Sequence, residues 1–198
     1  GDADVILGEL SEGGAAAYRD VLSVGDVTGD GTVDLLVTDA GSPGLMVYAG
    51  PLGGSAAVAR IECRLARSSS QAVLTDVTGD GVDDVVAGTS SSDFGAAYEG
   101  VVAVFDGTGV SGSVELEDAR TVVVSEYYTA FSNGVEPGDV NGDGYPDLAV
   151  GAYGNDDGAA SGGAAFVYSG GCRADDDGDG YCDYEDGDDS DASVYPGA

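Results

Sequence analysis

The apolar residues of this chain come in short bursts bounded by Gly, Ser or Asp: Asp34-Leu-Leu-Val37, Leu45-Met-Val-Tyr48, Asp84-Val-Val-Ala87, Val101-Val-Ala-Val-Phe105, Asp147-Leu-Ala-Val150 and Ala164-Ala-Phe-Val-Tyr168. Bursts of this length, rich in Val and aromatic residues and closed by turn formers, predict short strands. No segment carries a convincing helical period, so the expected fold class is all-β.

The bursts repeat in register. Before each Asp-led strand lies a Gly-rich acidic loop opened by Asp26, Asp76 or Asp139. After it come a turn and a second strand that closes on one signature: Val47-Tyr-Ala-Gly50, Val104-Phe-Asp-Gly107 and Val167-Tyr-Ser-Gly170. From the loop Asp to the closing aromatic is 22 residues in the first copy and 29 in the other two, which predicts a shorter hairpin turn in the first. Strand-like stretches also lie upstream of each loop, in "ADVILGEL", "VARIECRL" and "RTVVVSEYY". The expected organisation is three units of about four strands at residues 1–52, 53–107 and 108–170, then an acidic tail at 171–198 without apolar strands.

Charge changes this picture. The 198 residues include 37 acids against 6 basic residues, all arginine, for a formal charge of −31. High charge with little apolar content keeps a chain unfolded, but 42% of these residues are hydrophobic and grouped in strand-length runs, so a folded protein whose charge is compensated from outside is expected. Nucleic acid and anionic membranes are repelled; metal ions or a basic partner remain. Lys, His and Trp are absent, and with them the imine-forming amine, the usual general base and the commonest zinc ligand. No apolar run is long enough for a membrane span, and the sequence opens on Gly1 rather than Met; the expectation is a processed extracellular protein, secreted or at the cell surface.

Aspartates alternating with other residues place several carboxylates on one concave turn, and glycine at the sixth place allows a sharp bend around an ion. Counted from the opening aspartate, positions one, three, five and nine of the first loop are Asp26, Thr28, Asp30 and Asp34, with Gly31 at six and the Thr32 carbonyl at seven. The second loop supplies Asp76, Thr78, Asp80 and Asp84 with the Val82 carbonyl; the third supplies Asp139, Asn141, Asp143 and Asp147 with the Tyr145 carbonyl. All of these donors are hard oxygens, which selects calcium over magnesium and over the softer metals. A Gly-Asp-Gly hairpin turn accounts for one such loop alone. Three in register, each with an acid at position nine inside the next strand, favour coordination, since a turn by itself calls for no carboxylate there.

The stretch "GDVNGDGYPDLAVGAYG" followed by "AAFVYSG" resembles the FG-GAP repeat of the integrin α-chain β-propeller, whose blades carry a calcium loop D-x-[DN]-x-D-G-x-x-D between their first two strands. The resemblance runs over three copies and is closest in the third. It implies three blades of four short antiparallel strands each, open or completed between chains, with Ca2+ in each loop. Thr28 and Thr78 depart from the pattern, which implies weaker sites, and the Phe-Gly pair is replaced by Tyr18-Arg19, Ser68-Ser69 and Phe131-Ser132. In the tail, Asp175, Asp177, Asp179, Gly180, Asp183 and Asp186 follow D-x-D-x-D-G-x-x-D-x-x-D, with Tyr181 at the carbonyl place. That pattern resembles thrombospondin type 3 repeats and acidic modules of secreted bacterial proteins. It implies a calcium-ordered tail, with a second ion open to Asp186, Asp188, Asp189 and Asp191. Such modules carry Cys where Gly187 stands, and the resemblance makes Cys182 the displaced disulfide partner.

Cys172 and Cys182 flank the first acidic run and are the first choice of pair, with Cys63–Cys172 as the alternative. Half of the positive charge, Arg60, Arg64 and Arg67, lies in one predicted strand in which Ile61, Cys63 and Leu65 alternate with Arg60 and Arg64. A propeller closes with roughly four to eight blades, so three leave strand edges and apolar flanks open. Completion by further copies of the chain, as a ring, fibre or tube, is expected over a fragment of a longer protein. The expected function is that of a non-enzymatic, calcium-binding structural or adhesive subunit, a homo-oligomer or filament. The alternative is a propeller that recognises a glycan or protein ligand. Glycoside chemistry is disfavoured because the loops account for the aspartates, and Glu115, Glu117 and Glu126 lie near no Trp platform.

Overall fold

The computed structural model describes residues 18–39, 44–51, 57–62, 71–92, 99–124, 131–152 and 162–171. In chain order the strands are β1 (Tyr18–Gly25), β2 (Asp34–Asp39), β3 (Leu45–Tyr48), β4 (Ala59–Glu62), β5 (Gln71–Thr75), β6 (Asp84–Ser92), β7 (Glu99–Phe105), β8 (Gly112–Glu115), β9 (Thr121–Val124), β10 (Phe131–Gly138), β11 (Asp147–Ala152) and β12 (Ala164–Tyr168). Among the described residues the only helical pieces are two 3-10 turns, Gly107–Gly109 and Leu116–Asp118. The fold is all-β, as the burst pattern predicts.

The strands form three sheets, ordered β1-β2-β3-β4-β8, β5-β6-β7-β9 and β10-β11-β12. Only the second has the expected four antiparallel strands; the third has three among the described residues, and the first gains β8 as a fifth, parallel to β4. Sheet membership is also offset from the sequence repeats. The strand within "VARIECRL" is β4 and pairs with β3, and the strand within "RTVVVSEYY" is β9 and pairs with β7. Each closes the sheet before it instead of opening the next. The strands that do lead into the loops are β1, β5 and β10; Arg, Asp, Ser, Gly, Asn and Pro interrupt β1 and β10, so their hydrophobic pattern is weak. "ADVILGEL", Cys63, Arg64, Leu65, Arg67, Cys172, Cys182 and the tail lie outside the described residues.

Alternation sets the packing. From the middle sheet, Val85, Ala87, Val101, Ala103 and Phe105 join Leu36, Leu45, Val47 and Ile61 of the first sheet in one core. Their neighbours Val86, Val102 and Val104 join Val135, Leu148, Val150 and Ala152 of the third sheet in another. A sheet covered on both faces needs apolar residues at every place, which is why "DVVA" and "VVAVF" read as unbroken runs. At roughly 1.5–3 kcal/mol per buried large side chain, these two cores provide most of the drive for stacking. The β8 excursion adds Val110 and Val114 to the first core and covers the edge of β4, with Gly112 N–H donating to the Val58 carbonyl at 2.9 Å. Ile61 is buried while Arg60 lies opposite Met46 on the other face of the same sheet, in accord with the predicted alternation.

Candidate metal-binding loops

Each acidic loop joins the first and second strands of its sheet, and its carboxylates hold its own backbone. Asp26 accepts from the N–H groups of Asp30 (3.1 Å) and Gly31 (2.7 Å). Asp76 accepts from Gly79 (2.7 Å), Asp80 (3.0 Å) and Gly81 (2.9 Å). Asp139 accepts from Gly142 (2.6 Å) and Gly144 (3.1 Å). Position five then holds position seven: Asp30 accepts from Thr32 N–H at 2.8 Å, Asp80 from Val82 at 2.8 Å and Asp143 from Tyr145 at 2.9 Å. These are Asx-type turns. They require left-handed backbone at positions four and six, met by glycines with φ from 68° at Gly29 to 97° at Gly144.

Position nine behaves differently from positions one and five. Asp34, Asp84 and Asp147 are buried, and each turns inward to backbone N–H groups. Asp34 accepts from Val27 (3.0 Å), Thr28 (2.9 Å) and Gly50 (2.9 Å). Asp147 accepts from Val140 (2.8 Å), Asn141 (3.2 Å) and Gly170 (3.1 Å), and from the Asn141 amide side chain at 3.2 Å. Asp84 accepts from Thr78 (2.9 Å) and Gly107 (3.1 Å), while Val77 N–H goes instead to the Thr75 carbonyl. The inference that a turn calls for no carboxylate at position nine is therefore corrected: this acid pins the start of the loop to the closing glycine, with or without an ion.

The closing glycine explains the recurrent signature. A Cβ on Gly50, Gly107 or Gly170 would fall 2.3, 2.3 and 2.0 Å from the carbonyl oxygens of Val33, Asp83 and Pro146, all at position eight. The same glycine thus donates to position nine and lies against position eight. Spacing showed the repeat of these glycines, but not that they touch the loop. A second residue that the pattern does not single out is Asp83, whose carboxylate accepts Asp26 N–H at 2.8 Å and whose own N–H donates to the Asp26 carbonyl at 3.0 Å, joining the first loop to the second sheet.

The buried acids differ in ionisation because their donors differ. Burial, with the Asp80 charge adding to it, pushes Asp84 up to about 6 against the pull of its Gly107 and Thr78 donors. Burial also opposes the charge on Asp147, but the Val140, Gly170 and Asn141 donors together hold it below the ordinary carboxylate range. The hydroxyl and N–H of Thr32 hold Asp30 low. Since the folded pKa of Asp84 exceeds its ordinary 3.8, its contribution to stability is complete below that pH and is lost as pH rises through about 6. In excess chelator, urea midpoints of the wild type should fall over that window more steeply than those of Asp84→Asn; equal slopes would exclude this residue as the source.

By chemistry the loops fit a hard cation. Their donors are carboxylates, hydroxyls, an amide and carbonyls, and a carboxylate has about four acceptor sites, so the hydrogen bonds above leave capacity at positions one and five. Position three is also engaged: Thr78 hydroxyl reaches Asp84 at 3.4 Å, and Asn141 Oδ1 accepts Asp143 N–H at 2.8 Å. Among the described residues no three acids or thiols converge into one cluster, which follows from the inward turn of position nine. The predicted tail ligands Asp175, Asp177, Asp179, Tyr181, Asp183 and Asp186 lie outside the described residues.

Antiparallel sheets stacked face to face, each with an acidic loop between its first two strands and a glycine clasp after its third, define a blade-type β-repeat protein. Residues 131–168, spanning β10 to β12, match the FG-GAP repeat. No curated protein matches the chain. No helix among the described residues is long and apolar enough to cross a membrane.

Proposed function

We propose that this chain is an extracellular, non-enzymatic protein of structural or adhesive role that binds calcium in its loops and works as a repeated subunit. The observation that carries it is the likeness of the three loops: each exposes a carboxylate at position five, keeps a second at position one, and contains no basic residue, in a chain of charge −31. The FG-GAP match supports the adhesion-type module. Calcium would be held by Asp26, Thr28, Asp30 and the Thr32 carbonyl in the first loop, and by the corresponding groups of the second and third. The acids at position nine, already bonded to the backbone, would border the ion. The tail would hold one or two more.

An ion at about a hundred times its dissociation constant stabilises the fold by roughly 2.7 kcal/mol per site. Extracellular modules bind calcium with constants of roughly 0.1–1 mM, so millimolar calcium should raise the melting temperature, and magnesium should do so less. The variant Asp30→Asn/Asp80→Asn/Asp143→Asn should lose most of that rise. Identical melting curves in calcium and in excess chelator would overturn calcium binding. A recognition role draws on a cleft of about 270 Å³ between the second and third sheets, lined by Val102, Val104, Val123, Leu148 and Tyr168 with Arg120 in its wall. Saturable binding on a glycan array, lost in Val123→Glu, would favour that role.

A further inference from the structure

The stacked sheets use one joint twice. Between the first and second sheets, Val27 at position two is fully buried, and the position-seven side chain of the following loop covers the position-four glycine: a Cβ on Gly29 would lie 3.1 Å from Val82 Cγ2. Between the second and third, Val77 packs on the second core and Tyr145 covers Gly79, 2.8 Å from such a Cβ. Each sheet therefore offers positions two and four forward and receives with positions seven and eight.

One forward half and one receiving half are left over. On the third sheet Val140, the counterpart of Val27, is 64% exposed, and nothing lies within 4 Å of a Cβ on Gly142, the counterpart of Gly29. Val167 is exposed on the same outward face, since its ladder partner Ala149 alternates with the core residues Leu148 and Val150. On the first sheet Val33 at position eight is 64% exposed. Val21 and Val24 are exposed beside it, opposite Val37 and Leu35, on the face turned away from Leu36 and the core. The large exposed hydrophobic residues are thus concentrated on the two outward faces of the stack, as at contact surfaces.

We propose that the outward face of the third sheet docks on the outward face of the first sheet of a second copy of this chain, head to tail. The occupant is another copy because the receiving half that matches this forward half is carried by the chain itself and built from the same loop. The contact repeats a joint already present twice. It is heterologous, so copies close into a ring if the rotation permits and otherwise extend as a fibre. The proposal rests on the self-assembling part of the function proposed above and not on calcium. Copies of charge −31 repel one another, so association should strengthen as added salt screens that charge.

Sedimentation velocity of the full chain tests it. The wild type should form species heavier than the monomer, growing with concentration and salt. Val140→Asp and Val33→Asp should each sediment as monomers with wild-type circular dichroism, and their mixture should form a dimer that grows no further, because one intact forward half and one intact receiving half remain. Val167→Asp replaces Val140→Asp if the latter fails to fold. A wild type that stays monomeric at high salt, a single variant that assembles like the wild type, or a mixture that stays monomeric overturns the joint. Run in calcium and in excess chelator, the series separates the joint from calcium binding: rescue by mixing in either condition supports it, and no rescue in both overturns it even if calcium raises the melting temperature.

Discussion

Replacing Asp147 by Ala should destabilise the protein by about 3–5 kcal/mol, enough to unfold a domain whose total stability is of the order of 5–15 kcal/mol. The side chain is buried and accepts from three backbone N–H groups, those of Val140, Asn141 and Gly170. Each N–H left without a partner in a buried setting costs about 1–3 kcal/mol, reduced here because water can reach the loop side. Asp147→Asn keeps the shape and one acceptor oxygen and should recover part of the loss. Urea midpoints in excess chelator measure the pin alone; the same comparison in calcium adds any contribution as a ligand. A loss below about 1 kcal/mol in chelator would mean that the N–H groups find water instead.

Gly170→Ala should cost about 3 kcal/mol, at the upper end of what overpacking does, although it adds a single methyl group. The new Cβ would meet the Pro146 carbonyl oxygen at 2.0 Å and Val77 Cγ2 at 2.9 Å. The first of these is backbone, fixed by the proline ring and by the Asp147 pin that follows it, so the chain cannot move aside without breaking the clasp. Gly50→Ala and Gly107→Ala meet the same carbonyl position at 2.3 Å and should behave alike. Gly109→Ala is the control: nothing lies within 4 Å of its Cβ, and a change within about 0.5 kcal/mol is expected from thermal or urea melts. Similar costs at Gly109 and Gly170 would show that the close approach is not what the signature preserves.

Strand existence was legible wherever burial covers both faces of a strand. The runs "DVVA" and "VVAVF" became β6 and β7, and each Asp-led burst became a second strand. The strands β1 and β10 were not legible, because residues such as Arg19, Asp20, Asn133 and Pro137 break their hydrophobic pattern and their pairing comes from the neighbouring β2 and β11. The loops were visible down to each Asp and Gly, yet the use of each acid was not. Asp34 and Asp30 look equivalent in a ligand pattern, but one is buried on backbone N–H groups and the other is exposed.

The sequence by itself determined the class of fold, the count of acidic loops and their glycine-dependent bends, since these depend on short-range spacing and on which residues tolerate left-handed backbone. Only the tertiary structure decided that β4 and β9 close the preceding sheets, that β8 crosses to the edge of the first sheet, and that Gly50, Gly107 and Gly170 clasp the loops. Each of those outcomes is a contact between residues some 15 to 55 positions apart. Local propensity does not specify such pairs: they form because a buried N–H, a bare strand edge or an apolar face must find a partner once the chain is compact.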